Sequence, residues 1–230
     1  MKLILILYIA FFSVVIQAQM LVGTVTKYDG RIKILHEGTI KKNLIHKQQK
    51  IVAGDLLLSS KKSYAVITLV DKSQIVMDAN SVLHFASLNS LNQKKGKIFY
   101  KITPRKAKNF LKIKTAFAII GIKGTTFVVN AGKKSAVTLK EGLIRINSIK
   151  KEFELYRLQE KAEFHNYVSK QNAAFEKFKA LKTPVKPLQT KAFDLKAGNS
   201  IVFDKNKVDE TSIGKEERLN IKYFEKLLYK

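Results

Sequence analysis

Residues 21 to 149 are built from short, β-branched, often alternating runs that Gly, Asp, Asn and Ser interrupt every few residues, with no helical period of useful length. LVGTVTKYDGRIKIL, Leu21–Leu35, places strand formers on both sides of Asp29-Gly30, a dipeptide suited to the positive φ of a tight hairpin turn. AGDLLLSS opens with a turn at Gly54 and Asp55. From Tyr64 the run YAVITLVDKSQIVMDANSVLHFASL breaks at DKS and DAN into three short strands, and GKIFYKI, Gly96–Ile102, is another. The pattern predicts a mainly β fold.

AIIGIKGTTFVV, Ala118–Val129, admits two readings. Its two glycines with a lysine between them look like the GXXG loop that clamps a nucleic-acid backbone between two helices. The flanks decide against that reading: FLKIKTAFAII before and TTFVVNAGKKSAVTLKEGLIRI after are β-branched, alternating and punctuated by Gly132 and Gly142. Phe127 and Val129 fall on one face of the second strand, Thr126 and Val128 on the other. Gly121 and Gly124 then read as corners, with Gly124 where a side chain would obstruct a bend or a close backbone approach.

These residues resemble the core signature of the FecR domain family: TAFAIIGIKGTTFVV, with Gly121, Gly124, Thr125 and Phe127, followed by VTLKEGLIRI, with Glu141 and Gly142. Upstream, the Asp29-Gly30 segment, the Gly54-Asp55 turn and the DKS ladder follow in the family's order, and FDLKAGNSIVF, Phe193–Phe203, resembles the closing strand. The likeness spans residues 21–150 and 192–204. It implies an all-β domain outside the cytoplasmic membrane, built from stacked short strands in a solenoid-like or β-sandwich arrangement and used in signalling. The expected form is a stand-alone exported one, without the anti-sigma segment or second periplasmic module of other members. Lys72 stands where the family pattern has glycine, at a cost of about 1 kcal/mol if the turn keeps a positive φ; a turn type without positive φ is the alternative.

KEFELYRLQEKAEFHNYVSKQNAAFEKFKALK, rich in Glu, Lys, Gln and Ala, predicts an amphipathic helix inserted at about residues 152–182, with Phe164, Val168, Phe175 and Phe178 as candidate docking anchors or as core contacts. A Pro-containing linker, 183–191, would return the chain to a β domain spanning 19–204. A tail and a second helix, Lys215–Lys230, complete the chain and are expected to cap an open edge of the β stack.

MKLILILYIAFFSVVIQA, with one lysine, an apolar run and Ala18, reads as a signal peptide, residues 1–18; a retained membrane anchor is the alternative. With no cysteine, lipid anchoring at a cysteine, disulfides and thiolate metal sites are excluded. The net charge of +25 raises nucleic acid or an acidic surface as partner, yet only five of the 43 basic residues are arginine, the side chain that recognises phosphates and base edges by a planar fork. The lysines are scattered and read as a solvated surface, without nucleic-acid binding. His36, His46, His84 and His165 lack metal-ligand spacing, and Asp55, Asp71 and Asp78 sit at turns where aspartate caps N–H groups.

No enzyme and no cofactor is therefore expected. The expected role is a periplasmic interaction or sensing module in envelope signal transduction, partnered by another envelope or membrane signalling protein. A binder of envelope glycan or anionic lipid through a basic face is the alternative. If the export reading holds, mass spectrometry of protein from the native host finds a mature N-terminus near Gln19, and an intact Met1 in the soluble cytoplasm overturns it.

Overall fold

The computed structural model of the protein describes residues 20–104, 110–158, 162–163 and 186–229. The expected signal peptide and most of the expected insertion, including Phe164, Val168, Phe175 and Phe178, lie outside the described residues. The first half contains β1 (Leu21–Asp29), β2 (Ile32–Leu35), β3 (Asn43–Leu44), β4 (Lys50–Val52), β5 (Leu56–Ser59), β6 (Tyr64–Leu69), β7 (Gln74–Met77), β8 (Val82–Ser87) and β9 (Ser90–Ile102). The second contains β10 (Leu111–Lys114), β11 (Ala118–Ile122), β12 (Thr125–Ala131), β13 (Ser135–Glu141), β14 (Leu143–Ser148), β15 (Phe153–Tyr156), β16 (Leu188–Thr190), β17 (Ala192–Lys196), β18 (Asn199–Asp204), β19 (Lys207–Ser212) and a helix, α1 (Lys215–Tyr229).

Pairing divides the strands into two sheets. Sheet A runs β4-β1-β6-β7-β9-β12-β13-β18-β19-β15-β16. Sheet B runs β3-β2-β5-β8-β9-β10-β11-β14-β17. All these pairs are antiparallel except β9–β10 and β15–β19. Alternation places one residue in two on the inner side, and those from both sheets form a single core: Val25, Ile67, Tyr100, Phe127 and Val129 from A meet Leu57, Phe85, Ile113, Ile120 and Ile146 from B.

Strand β9 belongs to both sheets. Its first residues pair with β8 and β10, and from Gly96 onward it pairs with β12. At the crossing Gly96 has φ +91°, and a Cβ there would lie 2.5 Å from Ser81 Cα, so both conformation and space require glycine. Gln93, 1% exposed, satisfies one carbonyl at the bend and one on the neighbouring β12. Its Nε2 donates to Gly96 O at 2.8 Å and Val129 O at 3.0 Å, while its Oε1 accepts from the buried Tyr100 hydroxyl at 2.9 Å.

The remaining traffic between the sheets runs through tight corners, most of which hold a residue at positive φ: Gly30, Gln48, Gly54, Lys62, Asn80, Gly124, Gly142 and Gly198. This corrects the reading of Asp29-Gly30 as a hairpin. β1 pairs with β4 and β6, whereas β2 pairs with β3 and β5, so the turn moves the chain to the other sheet. Likewise FDLKAGNSIVF is not one strand: β17 lies in sheet B and β18 in sheet A, with Gly198 between them.

Two further expectations are corrected beyond residue 150. Phe153–Tyr156 is a strand, not the start of a helix, because Phe153 and Leu155 alternate into the core and β16 and β19 supply backbone partners on either side. β16 occupies part of the expected linker, and β19 carries the β domain past 204 to Ser212.

The helix covers a face, not an edge. Ile221, Phe224, Leu227 and Leu228 of α1 pack on Val66, Val76, Phe99 and Val128, which point outward from the middle strands of sheet A, and the Phe224 and Phe99 rings stack at 5.7 Å. Leu219 and Tyr223 stay largely exposed. Glu216 and Glu217 in the first turn suit the positive end of the helix dipole. Lys140 on β13 reaches Glu225 at 2.5 Å, and that hydrogen bond holds its ammonium above the ordinary lysine pKa. None of the described helices is long and apolar enough to cross a membrane.

Burial holds the Tyr100 phenol well above its ordinary pKa. The folded state thus keeps it neutral where the unfolded chain ionises, so its contribution is complete below about pH 10 and is lost as pH rises beyond that. Denaturant midpoints measured from pH 8 to 11 should fall above about pH 10, and Tyr100→Phe should flatten that fall by up to about 1.4 kcal/mol per pH unit. Near neutral pH the same variant should lose about 1 kcal/mol through the unpaired Gln93 oxygen.

Candidate functional site

The polar residues singled out in the sequence hold corners in place. Asp55 is fully buried: its Oδ2 accepts the Val52 N–H at 2.8 Å and its Oδ1 lies 2.7 Å from His36 Nδ1. Its carbonyl accepts the Phe85 N–H, so one residue ties the ends of β2 and β4 to β8. The turn after β6 keeps its positive φ at Lys72, 67°, and Asp71 supports it by accepting from the Ser73 N–H and hydroxyl at 3.0 and 2.9 Å. Glu141 Oε2 accepts from the Thr126 hydroxyl at 3.1 Å, and Gly142 abuts Thr125, whose methyl carbon would lie 2.6 Å from an added Cβ. The Thr125 hydroxyl is buried without a hydrogen-bond partner among the described residues. Phe127 stacks on Tyr100 in the core, ring centroids 5.1 Å apart.

Gly121 and Gly124 part company. Gly124 joins β11 in sheet B to β12 in sheet A with φ +140°, and a Cβ there would stand 2.8 Å from Pro104 Cα. Gly121 is not a corner. It lies inside β11, paired with Lys112 and Arg145, and a Cβ would meet nothing nearer than 3.8 Å.

Where four turns meet at one end of the sandwich, a groove of about 600 Å³ opens between the sheets. Its floor is aromatic: Phe117 lies 4.5 Å from Phe203, which lies 5.8 Å from Phe153. Lys133, Lys150, Lys151 and Lys205 line it, with Asp204 as the single acid. Cations gathered over an apolar floor focus positive potential, the arrangement that attracts an anionic group carried on an apolar or sugar-like body. The sequence conceals this groove, since its lysines come from three separate turns and show neither motif nor spacing. Among the described residues no group of His, Cys, Asp or Glu could hold a metal ion.

The fold thus defines a two-layer all-β module with a helix on one outer face and its chemistry concentrated at turns. Within it, residues 55–145 form a FecR domain: they match the family described as FecR protein. That stretch runs from Asp55 to Arg145, shorter than the likeness visible in the sequence. No curated protein matches the chain. Two crystal structures, at 1.65 and 2.50 Å resolution, of a protein described as a "putative anti-sigma factor" from Parabacteroides distasonis ATCC 8503 are similar at 12% identity and a TM-score of 0.47, over 71% of this chain and 62% of theirs. The chain therefore spans less than two thirds of that protein's length.

The two glycines should separate in solution. Gly124→Val is expected to lower unfolding free energy by more than about 1 kcal/mol, and Gly121→Ala to raise it by about 0.5–1 kcal/mol. Lys123→Ala should leave stability unchanged. Equal stability of Gly124→Val and wild type in urea titrations would remove the steric explanation of the corner.

Proposed function

We propose that this protein is a non-enzymatic interaction module of envelope signal transduction, working outside the cytoplasmic membrane and partnered by another envelope or membrane protein. The FecR domain at residues 55–145 carries this reading. In support, the conspicuous corner acids serve the backbone or neighbouring side chains, and the four lysines of the end groove sit on turns open to a partner. We assign partner choice to the insertion that holds Phe164, Val168, Phe175 and Phe178. β15 and β16 pair with each other, so an insertion between them extends one hairpin and leaves both strands in register. Apolar anchors at spacings of three, four and seven suit a helix laid in a groove.

A second reading, binding of an anionic glycan or lipid surface, is favoured by the four lysines of the end groove. Both are tested by placing a photo-crosslinking residue at Lys150 in the native host, in wild type and in a variant whose residues 159–185 are replaced by a short Gly-Ser linker. A discrete protein adduct in the envelope fraction that disappears with the insertion is the expected result. A folded variant that keeps the adduct moves partner choice to the strands. Adducts with glycan or lipid alone overturn the protein-interaction reading in favour of the second.

A further inference from the structure

Gly121 is a glycine the fold does not need. Its backbone lies in β11 outside the left-handed region, a Cβ would have 3.8 Å to Arg145 and 4.0 Å to Phe110, and a strand-interior glycine destabilises by about 0.5–1 kcal/mol relative to alanine. Such a residue marks a place where something approaches the backbone closely. Its neighbours Ile120 and Ile122 point into the core, so the missing side chain lies on the outer face of sheet B, the face α1 does not cover.

The result is a hollow of about 450 Å³ over the Gly121 backbone. Phe110, 37% exposed, and Leu143, 53% exposed, are its apolar walls, and Lys123 and Arg145 line it. Lys112 stands beside it with Nζ 5.0 Å from the Phe110 ring centroid. Asp194 is the one acid in the lining, 3.2 Å from Arg145 Nη1. An occupant must therefore offer an apolar group about one side chain deep with negative charge on either side. A nucleic-acid backbone lacks the apolar group, a bilayer surface is too broad for the hollow, and a second copy of a chain carrying +25 is repelled.

We propose that this hollow docks an extended acidic segment of a partner protein, setting one apolar side chain on Gly121 between Phe110 and Leu143 and its carboxylates against Lys112, Lys123 and Arg145. The proposal rests on the interaction reading above and names the surface and chemistry through which it works.

The test titrates the ¹⁵N-labelled protein with a blocked hexapeptide, Glu-Glu-Leu-Phe-Glu-Glu, and separately with its Gln-for-Glu counterpart and with vesicles of phosphatidylglycerol. Amide shifts at Gly121, Lys123, Leu143 and Arg145 with the acidic peptide alone are expected, weakening as salt rises. Gly121→Leu, which fills the hollow in a site with room for a Cβ, should keep the melting temperature and lose at least about tenfold in affinity. Gly121→Ala serves as the milder filling if the leucine variant is unstable, and Lys123→Glu should weaken binding without altering the fold. Undiminished binding by Gly121→Leu, absence of binding by wild type, or the same shifts from vesicles but not peptide each overturn the proposal. Shifts confined to Lys133, Lys150, Lys151 and Lys205 also overturn it, yet leave the interaction reading standing; that reading fails separately, on the host crosslinks.

Discussion

The fold depends on a single strand changing sheets. β9 is the member common to both layers, and the change is possible only because Gly96 bends where a side chain would strike Ser81 and because Gln93 takes up the Gly96 carbonyl at the bend and that of Val129 on β12. A buried amide with unmet partners destabilises strongly, so Gln93, Tyr100 and Val129 must be placed together or not at all. Tyr100 in turn stacks on Phe127, which fixes the strand after the Gly124 corner. The FecR domain is thereby anchored at its centre by a polar cluster inside an apolar core.

Around this centre the chain assembles by repeated change of layer, and this order explains where charge can sit. Interior positions on both sheets are mostly apolar, the middle of sheet A is closed by α1, and lysine is left for turns, the outer face of sheet B and the uncovered parts of sheet A. Long lysine stems can lie over apolar neighbours with the ammonium in water, as Lys112 does on Phe110 and Lys207 on Tyr156. High net charge is thus compatible with a packed core because almost none of it is interior; the buried Glu210 is met by Arg157 and Asn199.

Much of this was legible in the sequence, for identifiable reasons. Alternation at Phe127 and Val129 gave the inner face, and Gly124 announced a tight corner, because both signals are local. A positive-φ dipeptide such as Asp29-Gly30 states that the chain turns but not which sheet it enters next; that depends on β4 to β6, tens of residues away. Phe153–Tyr156 is short and lies in helix-favouring company, so its strand character shows only when β16 and β19 stand beside it. The α1 stripe was visible, but its site was not, since the apolar outward positions of sheet A come from four separate strands. The lysine groove and the His36–Asp55 contact were hidden likewise, each being made by segments with no sequence relation.

The position of α1 orders events during synthesis. The helix leaves the ribosome after every strand it covers, so Val66, Val76, Phe99 and Val128 form a nearly finished sheet with a bare apolar strip until α1 has emerged. Exposed apolar surface on an incomplete chain invites aggregation. A chaperone handling this protein therefore has a defined target, open for the interval between completion of the sheets and docking of the fifteen-residue helix α1.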